Sequence, residues 1–515
     1  MTPKYAPRKI RWAIVLYLVA FTGIALLSDQ IYERIPNSED EAAYLFQAQV
    51  FAHNRLTVPT PPNADAFWSP FVVDYQGRRF GKYPPGWPLL LSFGIRLGMP
   101  WLVNAILAVL TLGLITRLGS VFYQDNTGFW AAILALNTPG FLFLSSSLLS
   151  HPASLWWSAL ALLLTYYLVT WAQANPKAKI TAYGLHPNHI ALLLGVALGA
   201  SFITRPFAGL GLGLTIGLFL LILTIRDDVG ASIFVGLVGG GLLVAALLPL
   251  YWWLVSGDPT FNPYLLVWPY DRVGFGPDIG PQGYNLQTAL FINTKLKLIA
   301  LATGLFGWPG WSNLLFLPLP FILRRATRWD WLLLGTLLVL IFVHIFYWAF
   351  GGVDGGFPRY YYDALPALLL LTVRGIQVSM ICLSRWIGGG VQKRLKGLVY
   401  APIVVAMAFT IYSLIWRWPD MLRAQKDKYG ISAASLDAVE QANIATPALV
   451  LVKGIHSWSD FAAPFAANDP LLEAPIIYAI DWDTPLTEQV RAQFAERDCW
   501  ELETMVLKPC IPPPQ

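Results

Sequence analysis

Residues 207–225 read FAGLGLGLTIGLFLLILTI and contain no charged side chain. A helix that crosses a bilayer needs about 20 mostly apolar residues, so this run predicts a membrane span. Comparable runs begin near Trp12, Trp101, Thr127, Ala153, His189, Ala231, Leu298, Trp331, Leu365 and Leu398. The sequence therefore predicts an all-α polytopic membrane protein with about eleven transmembrane helices.

The amino-acid composition is typical of a protein that is embedded in a lipid bilayer. Of the 515 residues, 56% are hydrophobic and 13% are charged, whereas soluble domains carry roughly 25% charged residues. The 22 Trp and 22 Tyr residues fit side chains that collect at membrane interfaces. The net charge of +5 comes from basic residues beside apolar segments, so we expect a bilayer partner and no nucleic acid. No small-residue cleavage site follows the basic start that ends at Arg11, which favours an uncleaved anchor.

Lys and Arg residues predict the orientation. With the basic N-terminus inside, alternate loops on the same side hold Lys177, Lys179, Arg226, Arg324, Arg325, Arg328, Arg385, Lys393, Arg394 and Lys396. Cytoplasmic loops carry such an excess, so the other loops lie outside. We therefore expect a multi-pass protein of the plasma (inner) membrane, with its active site on the periplasmic or extracellular face.

The same alternation of inner and outer loops predicts two domains. Residues 1–417 form the transmembrane domain, with a long first outer loop at about 28–100. Residues 418–515 form a small extracytoplasmic α/β domain, in which Ala448–Lys453 and Pro475–Ile480 are expected as strands and Leu486–Glu496 as a helix.

Two of the three cysteines, Cys499 and Cys510, lie close together in this tail. An oxidising compartment would allow them to pair, and two free thiols are the alternative.

An acidic turn follows the first span. Ser38 and Glu41 fit a capping box at the start of a helix that continues to Ala52, and acids in a first turn suit the helix dipole. The alternative is catalytic. Asp40, rigid and partly desolvated at the interface, would suit a general base that takes a proton from an acceptor hydroxyl.

The outer face also carries cations that could stabilise a phosphate: Lys82, Arg205, Arg272 and Arg359. The alternative for each is an interfacial side chain that reaches water or pairs with an acid. His151, between two spans, is a candidate for phosphate or metal, or a hydrogen-bonded structural residue. Because no second His or Cys clusters with it, no metal site is predicted.

These residues together resemble the GT-C superfamily of polyprenyl-phosphate-sugar glycosyltransferases, near the protein O-mannosyltransferases and the lipid A aminoarabinose transferases. The resemblance covers about 12–380. It is carried by Asp40-Glu41-Ala42-Ala43-Tyr44, by Lys82-Tyr83-Pro84-Pro85, and by Arg359-Tyr360 followed by Leu365-Pro366.

The resemblance implies a GT-C-like fold and inverting transfer of a sugar from a polyprenyl-phosphate carrier to a protein, lipid or glycan acceptor. It implies that Asp40 is the base and that Glu41 supports it or binds acceptor. Substrate would be bound by Lys82, Tyr83, His151, Arg205, Arg272, Arg359 and Tyr360, of which Lys82, Arg205 and Arg359 hold the carrier phosphate.

The chain departs from the family pattern at two points. Many relatives carry an acid where this chain has Ser150-His151-Pro152, so a family-style divalent metal stays open. In many relatives a Lys directly precedes the Pro pair, whereas Tyr83 intervenes here.

Two other functions compete with sugar transfer. A transporter or flippase for a lipid-linked solute would need ionisable residues near the bilayer midplane, whereas here they cluster at the outer ends. An interaction protein would not need the outer cations.

Overall fold

The computed structural model describes residues 7–174, 187–354, 356–388, 393–426 and 428–510. Its first half is dominated by helices, several of which follow one another with short breaks. They are α1 Pro7–Gln30, α2 Glu39–Ala52, α3 Gly86–Arg96, α4 Val103–Tyr123, α5 Thr127–Ala135, α6 Pro139–Ser146, α7 His151–Ala174, α8 Pro187–Thr204, α9 Pro206–Ile225, α10 Ile233–Ala245 and α11 Leu247–Ser256.

The second half is more broken up. Its helices are α12 Tyr264–Val267, α13 Leu286–Thr288, α14 Lys295–Gly304, α15 Leu319–Ile322, α16 Arg328–His344, α17 Leu365–Gly388, α18 Ala401–Tyr412 and α19 Trp418–Gln425. A π-helical turn, Ser413–Arg417, joins α18 to α19, so the helical path continues through the predicted domain boundary at 417.

The chain is a multi-pass membrane protein. Within the described residues, eight helices are long and apolar enough to cross a bilayer: Arg11–Gln30, Pro100–Tyr123, His151–Gln173, Pro187–Thr204, Pro206–Ile225, Ile233–Ser256, Arg359–Ile387 and Gly397–Gly430. The count is nine if α5 and α6, bent by 65° at a break before Pro139, form one span. Proline cannot donate the helical hydrogen bond, which explains this break.

The described residues thus give eight or nine candidate spans where about eleven were predicted. The run from Leu298 does not form one long helix, because α14 ends at Gly304 and Gly307 takes a left-handed φ of +65° shortly before Pro309. The run from Trp331 forms α16, which at 17 residues lies at the lower limit for crossing a bilayer.

The orientation remains a prediction. Lys177 and Lys179, on which it partly rests, lie outside the described residues.

The segments between the membrane helices contain strands that the description as all-α did not include. β1 (Val58–Pro59), β2 (Val72–Tyr75) and β3 (Arg78–Gly81) form an antiparallel sheet in the order β1-β3-β2. β4 (Val353–Asp354) and β5 (Phe357–Pro358) form a short hairpin. β3 and β5 end directly before two predicted site segments, 82–85 and 359–360, and so fix the backbone that leads into them.

The tail is the predicted small α/β unit. It contains α20 Ala434–Ala442, β6 Ala448–Val452, α21 Ala462–Ala467, β7 Ile476–Ile480, α22 Pro485–Gln493, β8 Asp498–Glu503 and β9 Val506–Pro509. The sheet order is β7-β6-β8-β9, with β6 parallel to both β7 and β8. The predicted strands and helix are confirmed as β6, β7 and α22, whereas β8 and β9 were not predicted. Cys499 and Cys510, which the sequence left open, are joined by a disulfide.

The tail and the first outer loop share their apolar cores. Phe46 of α2 stacks on Phe465 of α21, with ring centroids 5.9 Å apart. Phe67 meets Phe494 edge to face at 6.1 Å. Aromatic pairs of this kind bury large apolar areas. The tail is thus packed onto the helix that carries the acidic turn.

Glycines allow α8 and α10 to cross closely. A Cβ atom at Gly240 would clash with the Leu192 carbonyl oxygen, and one at Gly195 would clash with the Leu237 carbonyl oxygen. Small residues of this kind let membrane helices approach until their backbones touch.

We expect Gly240→Ala to lower the thermal stability of the purified protein, because the added methyl group must push α8 and α10 apart. Overpacking of this kind costs roughly 1–3 kcal/mol. Gly239→Ala is the matched control, since a Cβ atom there meets nothing within 4 Å. Melting temperatures in detergent would measure both, and equal values for the two variants would contradict the close crossing.

Candidate active site

A cavity of about 890 Å³ lies where α2, the segment after β3, the ends of α7 and α9, and the tail converge. The predicted site residues that line it are Asp40, Glu41, Lys82, Tyr83, His151, Arg205, Arg359 and Tyr360. Arg272 is exposed and is not part of the lining, although the neighbouring Asp271 is. The structure therefore brings together residues that are more than 300 positions apart in the chain, such as Asp40 and Arg359, whose sequence separation is 319.

Asp40 lies in the first turn of α2. The Ser38 side chain caps this helix by accepting a hydrogen bond from the Glu41 N–H at 3.4 Å, as the sequence predicted. One carboxylate oxygen of Asp40 accepts a hydrogen bond from the Tyr83 hydroxyl, and the other lies 3.1 Å from Arg359 Nη1. The Asp40 side chain is 26% exposed, so it faces the cavity and is still held on both oxygens.

Glu41 is buried and has structural contacts. Its Oε1 accepts a hydrogen bond from the Ser38 hydroxyl at 2.9 Å, and its Oε2 accepts one from the backbone N–H of Leu148 at 2.8 Å. These bonds tie the start of α2 to the turn between α6 and α7. They fix the backbone on which Asp40 sits, and the role of Glu41, to support Asp40 or to bind acceptor, stays a prediction.

Lys82 is 2% exposed and is surrounded by aromatic rings. Its Nζ lies 3.5 Å from the ring centroid of Phe71 and 4.5 Å from that of Trp268, in the range of cation–π contacts. Burial lowers the pKa of Lys82 to about 8, although the carboxylates of Asp40, Asp271 and Glu39 act in the opposite direction. The ammonium group is therefore poorly solvated, and an anion bound in the cavity would stabilise its charged form.

Tyr83, which stands between Lys82 and the proline pair, hydrogen-bonds to Asp40. Burial raises the pKa of its hydroxyl well above the ordinary value, and the charge of Asp40 adds to the effect. Tyr83 thus stays protonated and donates to Asp40. Its ring lies 4.5 Å from that of Tyr44, which holds it in place.

Arg205 precedes the first residue of α9 and forms a buried ion pair. Its Nη1 lies 3.1 Å from Oδ2 of Asp363, which is fully buried. Oδ1 of Asp363 accepts hydrogen bonds from the hydroxyls of Ser154 at 2.5 Å and Ser158 at 3.0 Å. The pair fixes the guanidinium at the cavity wall. Pairing with an acid was the alternative to phosphate binding that the sequence offered for Arg205.

Arg359 and Tyr360 depend on two glycines. Arg359 Nε donates to the Gly351 carbonyl oxygen, and the Tyr360 ring stacks on His344 with centroids 4.9 Å apart. Gly351 and Gly352 have φ of +79° and +75°, and a Cβ atom at Gly351 would clash with the Tyr360 ring. Any other residue at position 351 would be strained and would displace Tyr360.

His151 lines the cavity, and both of its ring nitrogens are buried without a hydrogen-bond partner among the residues that the structure describes. Buried polar atoms are normally paired, so this ring is available to a bound ligand. Its role in binding phosphate or metal stays a prediction. In the described ranges, no three His, Cys, Asp or Glu side chains cluster to hold a metal ion.

Sequence reasoning missed Asp271. Its Oδ1 accepts hydrogen bonds from the Tyr347 hydroxyl and from Trp348 Nε1, both at 2.9 Å. Asp271 stands in the motif Tyr270-Asp271-Arg272, from which only Arg272 was predicted as a site residue. Asp271 also lines the cavity, and its charge acts on Lys82.

One side of the cavity is apolar and is built from membrane helices. It is formed by Pro206, Phe207, Ala208, Leu248 and Trp252, from α9 and α11. Polar groups thus lie beside an apolar surface that continues into the membrane-spanning part.

The fold is similar to that of known proteins. The structure of ArnT from Cupriavidus metallidurans bound to undecaprenyl phosphate matches with a TM-score of 0.54 and 15% identity, over 96% of this chain and 93% of that chain. Its apo structure matches with a TM-score of 0.56 and 14% identity over the same shares. The apo oligosaccharyltransferase of Archaeoglobus fulgidus matches with a TM-score of 0.54 and 13% identity, over 92% of this chain and 65% of that chain.

No protein-family model and no curated protein matches the sequence. The structural likeness confirms the predicted fold, since these proteins match more than nine-tenths of this chain.

The pKa of Lys82 leads to a testable pH dependence. A lysine with a lowered pKa is charged below about pH 8 and neutral above it, so the affinity for dodecyl phosphate should fall as the pH rises from 7 to 9. Arginine keeps its charge throughout this range. Calorimetric titration should therefore show a pH-dependent affinity in the wild type and a nearly constant one in Lys82→Arg. An affinity in the wild type that does not change with pH would show that Lys82 does not contact the anion.

Proposed function

We propose that this protein is a membrane glycosyltransferase that moves a sugar from a polyprenyl-phosphate carrier to a hydroxyl group of an acceptor. The main support is that a carboxylate, Asp40, and the cations Lys82, Arg205 and Arg359 all line one cavity. A transferase of this kind needs an acid–base group for the acceptor and fixed positive charge for the phosphate that leaves.

In the proposed step, an acceptor hydroxyl oxygen attacks the anomeric carbon of the sugar. The new carbon–oxygen bond forms as the bond from that carbon to the phosphate oxygen breaks. The hydroxyl proton passes to Asp40, and the bonding electron pair leaves with the polyprenyl phosphate. A single displacement inverts the anomeric configuration.

The other residues hold these groups. Tyr83 fixes Asp40, and Glu41 fixes the turn that carries it. Lys82 and Arg359 receive the developing charge of the phosphate, while Arg205, kept in place by Asp363, stands at the wall beside the apolar surface. That surface would accommodate the isoprenoid chain. Because Arg359 is paired with Asp40 before substrate binds, a phosphate that takes over Arg359 would leave Asp40 free to accept a proton.

We place this chemistry outside the cytoplasm. The distribution of Lys and Arg supports this side, and so does the disulfide between Cys499 and Cys510, because disulfides persist in oxidising compartments. A transporter of a lipid-linked solute remains the alternative. The two differ in chemistry, since only a transferase or hydrolase releases polyprenyl phosphate from a sugar-loaded carrier.

Asp40→Asn should reduce sugar transfer by at least about 10²-fold, the usual loss on removing a general base. The amide retains the shape of the side chain, so insertion and folding should persist. The measurement is release of polyprenyl phosphate by purified protein from a panel of radiolabelled polyprenyl-phosphate sugars.

Asp258→Asn makes the same exchange at an exposed position outside the cavity and serves as the control. Near-normal release by Asp40→Asn would remove Asp40 from the mechanism. Release by neither the wild type nor the control, with any sugar in the panel, would favour the transporter.

Arg359→Ala should weaken binding of the polyprenyl-phosphate donor by about 10-fold to 100-fold, the effect of losing a charged hydrogen bond of roughly 1.5–3 kcal/mol. Arg55→Ala, an exposed arginine of the first outer loop, is the control. Donor KM and melting temperature would be measured together. An unchanged KM with a lowered melting temperature would instead assign Arg359 a structural role.

A further inference from the structure

One part of the cavity wall is contributed by the tail and by the segment that leads into it. The side chains from this part of the chain are Gln425, Lys428, Tyr429, Ser457, Trp458 and Ser459. They include hydroxyl, amide, ammonium and aromatic groups and no aliphatic side chain. This composition differs sharply from the side formed by α9 and α11.

The loop that carries Trp458 leaves the carboxyl end of β6, a strand that is parallel to both its neighbours. Open sheets with parallel strands bind ligands at this edge. The loop is also held firmly. Oδ2 of Asp460 accepts hydrogen bonds from the backbone N–H groups of His456 and Ser457, each at 2.9 Å. Trp458 is partly buried: it packs against the core that contains Phe461 and also lines the cavity.

This loop is mechanically joined to the helix of the proposed base. The loop runs into Phe461, which is buried in the same core as Phe46 of α2. Phe465 stacks on Phe46, and the Gln49 amide donates to the Ala466 carbonyl oxygen at 3.2 Å. Trp458 and Asp40 therefore sit on two elements packed against each other, which keeps the loop at a constant position relative to the base.

A sugar ring matches this wall in chemistry. It has a face of C–H groups, which can stack on an indole, and a rim of hydroxyls, which need hydrogen-bond partners. The hydroxyls of Ser457 and Ser459 stand on both sides of Trp458 in the sequence; they are hydrogen-bonded to each other, and each keeps capacity for a further hydrogen bond to a sugar hydroxyl. A lipid acceptor would need a second apolar groove, and the described tail residues that line the cavity include no aliphatic side chain.

We propose that the wall around Trp458 is an acceptor subsite that takes a glycan, with the indole as the stacking surface. This inference rests on the proposed function and adds to it the acceptor class and the residues that recognise it. The isoprenoid chain would then lie along α9 and α11, and the glycan along the tail.

The test uses the full chain in nanodiscs and saturation-transfer NMR. The probes are methyl glycosides of common hexoses and pentoses, their disaccharides, and a serine- and threonine-containing peptide. We expect at least one glycan to receive saturation on the ring protons of one face. Trp458→Ala should weaken its binding roughly tenfold, the factor that corresponds to about 1.4 kcal/mol, and Trp458→Phe should weaken it less.

Trp482→Ala is the matched control, because Trp482 lies in the same domain, is 41% exposed and does not line the cavity. It should leave glycan binding unchanged. Binding of dodecyl phosphate to each variant checks that the rest of the cavity is intact.

The outcomes separate the two proposals. Glycan binding that survives Trp458→Ala, binding of the peptide instead of any glycan, or dodecyl phosphate binding with no glycan signal in the wild type would each overturn the glycan subsite alone. If the wild type bound neither dodecyl phosphate nor a glycan, the proposed function would fail as well.

Discussion

The site depends on the way the Asp40 carboxylate is held. Tyr83 binds one oxygen and Arg359 the other, and these residues come from three segments that the fold must bring together. The capped start of α2, the strand pair β2–β3 that precedes Lys82 and Tyr83, and the glycine turn before Arg359 each fix one of these partners. A carboxylate bound in this way has a defined direction, which a proton acceptor needs and which an exposed surface acid lacks.

The charges of the cavity are arranged in pairs that a ligand can rearrange. Arg205 is committed to the buried Asp363, with two serines completing the acid's hydrogen bonds. Arg359 is paired with a partly exposed acid, and Lys82 is surrounded mainly by rings. Removing one partner of a buried pair is costly, so Arg205 is expected to stay in place. Lys82 and Arg359 are the cations that an incoming phosphate can engage at lower cost.

Much of this could be predicted from the sequence, and the failures have physical causes. Long apolar runs and the acidic turn are local signals, so eight of the spans, the cap at Ser38 and the strands β6 and β7 could be predicted. The break in the run from Leu298 depends on a left-handed glycine, which hydropathy does not detect. The choice of Arg272 over Asp271 failed because neighbours in a turn point in different directions. The structural contacts of Glu41 require Leu148, which is 107 residues away.

The packing of the tail onto the first outer loop has a consequence for synthesis. Gln49 and Ala466, which are hydrogen-bonded, are separated by 417 positions. During translation the apolar faces of α2 and of the loop around Phe67 therefore emerge long before the segments that cover them. These faces stay uncovered while the later helices insert. A ribosome that stalls before β6 would release a chain whose acidic turn can form locally but whose apolar surroundings are incomplete.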